Sequence, residues 1–134
     1  MLKDIPELIV EDIAVAIVKE KNEEDEEVWN VYFLNLKNEP VEGVLVSSNG
    51  YGELEGEKRK TSTLRHFLDV VDGRSFSKIE PIMENVFGLS NEYWVSFYYN
   101  RVMYDKKYVF LPDSIRKDNY TNIPLLNKKG IMIK

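Results

Sequence analysis

The sequence predicts an all-β fold: an antiparallel β-sandwich, immunoglobulin-like, with at most one or two short helices, in a single domain over residues 1–134. Two observations carry that expectation. Aromatic and β-branched residues gather into short alternating runs, the pattern of strands with one face buried. Turn residues punctuate those runs about every dozen residues, the spacing of sandwiches and barrels. One stretch competes: Leu64, Phe67, Leu68 and Val71 fall at helical spacing. The alternative is therefore α+β with a helix at 62–72, and that stretch also reads as a strand with a bend.

The elements follow in order. In residues 13–18 the bulky Ile13, Val15 and Ile17 alternate with Ala14, Ala16 and Val18, so the strand is apolar on both faces and is covered on both sides or lies at a contact. A charged loop at 19–27 leads to a second strand at 28–36. Asn38, Glu39 and Pro40 form a turn, and 41–46 is a short third strand. Asn49-Gly50, between Ser47 and Gly52, predicts a tight hairpin. Residues 75–80 are extended, and 81–87 hold one or two helical turns begun by Pro81 and closed by Gly88. Residues 93–99 make the strongest strand. Its alternation sets Tyr93, Val95, Phe97 and Tyr99 on one side, Trp94 and Tyr98 on the other. Asn100-Arg101 turns the chain toward 108–111, its antiparallel partner. The segment 125–133 is apolar enough to dock as a last strand or arm.

Composition excludes several chemistries. There is no cysteine, hence no disulfide, no thiolate-ligated zinc and no cysteine nucleophile. No apolar run is long enough to span a bilayer, and the segment from Met1 to Glu7 lacks the apolar stretch of a secretory leader. The expected location is cytoplasmic. Charge is unevenly spread: residues 1–56 carry four Lys against fourteen Asp and Glu (4 − 14 = −10), whereas 99–134 carry eight basic and three acidic residues (8 − 3 = +5). Pairing of these segments within the fold or between subunits is the expected use of that asymmetry.

Candidate sites are few. The single histidine, His66, makes a hydrolase with Ser62 and Asp69 the third-ranked reading, since a triad is defined by geometry rather than co-occurrence. The acidic run from Glu23 to Glu27 lacks the glycine of a calcium loop, and the glycines at 50, 52 and 56 lack the Gly-Lys-Ser/Thr order of a phosphate loop. No metal, cofactor or catalytic residue is expected. The speculative binding set is Trp94, Tyr98, Arg101, Tyr104, Lys106 and Lys107, where aromatics interleave with basic groups. The first reading of function is a non-enzymatic module for protein binding or self-association, with the apolar second face of 13–18 and the tail 131–133 as the contact. The alternative is an RNA- or tRNA-associated module using the basic, aromatic C-terminal third.

Whole phrases add a resemblance that covers nearly the full length. They are Asn49-Gly50-Tyr51-Gly52-Glu53, Leu64-Arg65-His66-Phe67, Lys78-Ile79-Glu80-Pro81-Ile82, Asn91-Glu92-Tyr93-Trp94-Val95-Ser96-Phe97, Tyr104-Asp105-Lys106-Lys107-Tyr108-Val109-Phe110 and Asn127-Lys128-Lys129-Gly130. In these the chain resembles a family of small uncharacterised bacterial proteins often labelled as a phenylalanyl-tRNA synthetase subunit. The resemblance implies at most an accessory or tRNA-binding piece. The arginine-bearing and glycine-rich motifs of a class II synthetase core are not found, and Arg65 and Arg101 stand in no such context.

Overall fold

Residues that alternate in side-chain size leave the backbone one economical way to bury them, as paired strands whose faces differ. The computed structural model describes residues 8–134; the N-terminal stretch read above as lacking a leader lies outside them. The strands are β1 (Ile13–Lys21), β2 (Glu27–Asn35), β3 (Val41–Leu54), β4 (Glu57–Lys60), β5 (Leu64–Val71), β6 (Ser75–Ile82), β7 (Ser90–Tyr99), β8 (Val102–Phe110), β9 (Thr121–Ile123) and β10 (Lys128–Ile133). Short 3-10 turns at Glu84–Val86 and Lys117–Asn119 are the helical content of the described residues. Two five-stranded sheets result. The first runs β6-β2-β1-β10-β9; the second runs β4-β3-β7-β8, with β5 also paired to β3. Every pairing is antiparallel. The expected all-β sandwich is thus the observed architecture.

The main core lies between the sheets. Ile13, Val15, Ile17, Val31 and Phe33 from the first meet Val46, Tyr93, Val95, Phe97 and Phe110 from the second. Tyr108 is buried among them, and its hydroxyl donates to the Ile13 carbonyl at 3.1 Å, a hydrogen bond from one sheet to the other. At one end Trp29 sits edge-on to Phe87 and Tyr120, with ring centroids 5.3 and 5.6 Å away. Its indole N–H donates to Glu84 Oε1, so one ring anchors both 3-10 turns.

A second layer covers the outside of the first sheet. Ala14, Ala16, Val18, Tyr32 and Leu34 are buried there against Ile123, with Leu36, Leu125, Leu126 and Met132 packed on them. Both faces of β1 are therefore filled by the chain itself. This corrects the expectation that the second face of 13–18 and the tail 131–133 form an intermolecular contact. Ile131 and Ile133 pack, partly buried, against the main core and Met132 against the outer layer. Glu20 closes this layer. Its carboxylate accepts from Asn30 Nδ2, Tyr32 Oη and Lys128 Nζ, each at 2.6 Å. Among ion pairs of the described residues, Lys128–Glu20 is the one that joins the basic end to the acidic half.

Two sequence expectations are corrected, the Asn49-Gly50 hairpin and the end of the third strand, while for 62–72 the strand with a bend holds over its helical alternative. Residues 62–72 hold no helix: β5 pairs with β3 through Ser48↔Leu64 to Val41↔Val71, with register shifts around Val44. Asp69 takes a left-handed φ of 60°, and this bulge lets both Leu68 and Val71 face the core. An irregular strand has imitated helical spacing. Asn49-Gly50 makes no hairpin; both residues lie inside β3, opposite Glu92 and Asn91. The turn lies at Glu55 and Gly56, both at positive φ. Gly50 instead permits close approach, since a Cβ there would stand 3.2 Å from Asn91 Oδ1 and 3.3 Å from Thr61 Cγ2. The third strand accordingly runs on to Leu54 rather than ending at 46.

Two outcomes test this account. A Cβ at Gly130 would lie 2.2 Å from the Ile17 carbonyl oxygen, so Gly130→Ala must push β10 off β1. Urea unfolding is expected to show a loss of about 1–3 kcal/mol. The second concerns acid. Burial pushes the Glu20 carboxyl up, but hydrogen bonds from Lys128, Tyr32 and Asn30, with the charge of Lys128, outweigh it and hold it below the ordinary 4.5. A carboxyl depressed on folding contributes stability above its unfolded value that is lost as pH falls through the folded one. Lys128→Met should therefore flatten the decline in stability between about pH 5 and pH 2, measured by circular dichroism; an unchanged slope would contradict the assignment.

Candidate functional site

Among the described residues, no layer covers the outer face of the second sheet. Across β5, β3, β7 and β8 the register places Phe67, Leu45, Ser96 and Asp105 in one row, and Arg65, Ser47, Trp94 and Lys107 in the next. Glu42, Tyr98 and Met103 form a further row. Phe67 is 67% exposed, Trp94 47%, Tyr98 48% and Met103 53%. The sheet's inner face buries Tyr93, Val95 and Phe97, so the alternation expected for 93–99 holds, and Trp94 and Tyr98 are exposed on the other side. The rings are held rather than loose. Trp94 Nε1 donates to Asp105 Oδ2 at 3.1 Å, and Lys107 Nζ stands 4.8 Å from the centre of the indole. Tyr98 lies over Gly43, where a Cβ would come within 3.3 Å of the ring.

The six sequence-predicted residues divide by the two-residue period of β8. Lys107 joins Trp94 and Tyr98 on the outer face. Tyr104 lies on the other side, stacked on Phe97 with centroids 5.5 Å apart and planes at 11°. Lys106 lies there too, over the Tyr108 ring and donating to the Lys134 carbonyl. Arg101 is exposed in the turn after β7, at φ 63°. Of the set's basic residues, Lys107 is therefore the one set against an exposed ring of this face.

A second constellation was not assembled from the sequence. Glu80 Oε1 accepts from Ser48 Oγ and from His66 Nε2, both at 2.7 Å, and its Oε2 accepts from Tyr93 Oη at 3.2 Å. His66 thus pairs with Glu80 rather than with Ser62 and Asp69. Ser48 gives its proton to the carboxylate, not to the imidazole, so the serine–base–orienter order of a triad is not formed. Burial, then the charge and hydrogen bond of Glu80, hold the Tyr93 hydroxyl well above the usual tyrosine range. These groups stand beside a groove of about 260 Å3 where β3 and β5 of one sheet face β6 of the other. Its walls include Leu64, Ile82, Met83 and Val86. The signal that could have exposed it is polarity on an apolar face: Ser48 points inward beside Val46, and His66 lies opposite Val46 across the strands. Among the described residues no group of three His, Cys, Asp or Glu is placed to hold a metal, and no helix is long and apolar enough to cross a membrane.

No family model, curated protein or solved structure matches the chain.

Glu80 organises this edge. Removing its carboxylate leaves two buried hydroxyls, those of Ser48 and Tyr93, without their acceptor. Glu80→Ala is expected to cost about 2–4 kcal/mol in chemical denaturation, and Ser48→Ala less, because it removes a single donor and leaves the carboxylate two others.

Proposed function

We propose that the chain is a non-enzymatic, immunoglobulin-like module of the bacterial cytoplasm that binds protein through the outer face of its second sheet. The observation that carries this reading is the contrast between the sheets. The first hides its outer apolar side chains under Leu125, Leu126 and Leu36. The second leaves Phe67, Trp94, Tyr98 and Met103 in water. Side chains of this kind add little to folding when exposed, and contiguous apolar faces mark interaction sites. Trp and Tyr are also the residues that most often dominate protein interfaces. Self-association through this face is the simplest form of the same activity, because a flat sheet face can meet its own copy about a two-fold axis.

The RNA-associated reading draws on the same rings but needs more cations beside them. Lys107 stands over Trp94, while Lys106 points to the other side of β8. Glu92, Asp105 and Glu42 share the outer face, and their charge opposes a phosphate backbone. Protein binding is therefore the reading the geometry supports better.

The test separates folding from binding. The combined variant Phe67→Ser, Trp94→Ser, Tyr98→Ser is expected to unfold within about 0.5 kcal/mol per site of the parent, as exposed substitutions do. It should also abolish any concentration-dependent rise in mass seen by light scattering. A large loss of stability would show instead that these rings serve the fold.

A further inference from the structure

The groove beside Glu80 lies on the inner edge of the sandwich, away from the exposed sheet face, and carries an inference of its own. Its walls combine apolar side chains with neutral Ser, Thr and Asn side chains, and no lysine or arginine lines it. The one carboxylate lining it is Glu80, whose side chain is 13% exposed. Among the described residues its ionisable ion-pair partner is His66, which bonds Oε1 and does not line the groove. A carboxylate offers about four acceptor positions. Oε1 is filled by Ser48 and His66, whereas Oε2 has the single, longer bond from Tyr93. One position on Oε2 is left. A largely buried carboxylate with no lysine or arginine beside it gains most from a ligand that brings both a positive charge and an N–H donor.

We propose that this groove binds a small organic ammonium, the nitrogen donating to Glu80 Oε2 and a short apolar body lying between Leu64, Ile82, Met83 and Val86. The chemistry selects the class. A carboxylate ligand would bring like charge to Glu80. An alcohol would supply the hydrogen bond without the charge. At about 260 Å3 the space lies below the usual range for drug-sized ligands, which restricts the body to a few carbons. The Ser48 and Tyr93 donors hold the carboxylate in place before the ligand arrives, so little ordering remains to be done on binding.

The experiment uses the isotope-labelled full chain and three probes of matched shape: butylammonium, butanol and butyrate. Amide resonances of Gly50, Glu80 and Asn91 report on the groove. Butylammonium is expected to give saturable shifts, butanol to bind at least about tenfold more weakly, and butyrate to give none. Glu80→Gln should remove the preference for the amine. Met83 is 70% exposed, so Met83→Lys keeps the fold while placing a competing ammonium at the groove; it should abolish binding. Absence of saturable shifts with butylammonium, equal binding of butanol, or amine binding that survives Met83→Lys would each overturn the proposal.

Discussion

The fold depends on a strand with no face to spare. Every residue from Ile13 to Val18 is buried, so β1 needs a partner sheet on one side and a second cover on the other. The first requirement is met by the strands that bring Tyr93, Val95, Phe97 and Phe110 across the core. The second recruits the end of the chain, where Ile123, Leu125, Leu126 and Met132 close over Ala14 and Ala16. The small side chains decide how this is done: alanine leaves room for another apolar layer to approach, where a second row of isoleucines would have held it off. Glu20 then finishes the strand. Burying a carboxylate is costly unless it is hydrogen-bonded and paired, and Asn30, Tyr32 and Lys128 supply three donors, one of them charged, from two neighbouring strands.

This arrangement makes the two sheets unequal. The first has spent its outer face on the protein's own tail. The second keeps aromatic side chains in water, fixed by Asp105 and Lys107 rather than by a layer above. Between the sheets, the edge at β5 and β6 is held by Glu80 and its three donors. One sheet face, one groove and one closed layer thus share a small scaffold without sharing side chains, since the alternation of each strand sends neighbours to opposite sides.

Much of this could be read from the residues. The double-sided burial of 13–18 and the division of 93–99 into inner and outer rings follow from period-two spacing, which strands impose without help from distant parts of the chain. What failed was local chemistry overruled by tertiary pairing. Asn49-Gly50 has the composition of a hairpin turn, yet β7 pairs straight through it. Leu64, Phe67, Leu68 and Val71 left helix and bent strand both open, and the bulge at Asp69, which gives a strand helical spacing, decides for the strand. The Glu80 constellation was illegible for another reason. Its members come from β3, β5, β6 and β7, and nothing in a sequence marks which of many carboxylates will meet a serine and a histidine from other strands. Cover for the second face of 13–18 was foreseen as one of two options; that the chain's own tail supplies it depends on the β1–β10 pairing, which no local pattern announces.

That pairing has a consequence for how the protein is made. Val15 meets Ile133, and Val18 meets Gly130, so one neighbour of the central strand is made more than a hundred residues after it. Until then β1 and β2 can form their hairpin, but one edge of β1 and an apolar face wait unpaired. Such edges template association with other chains, and pairings distant in sequence form slowly. A nascent chain therefore holds that edge of β1 open while the residues between 21 and 128 are made, and a premature stop before Gly130 would leave it without the β10 pairing.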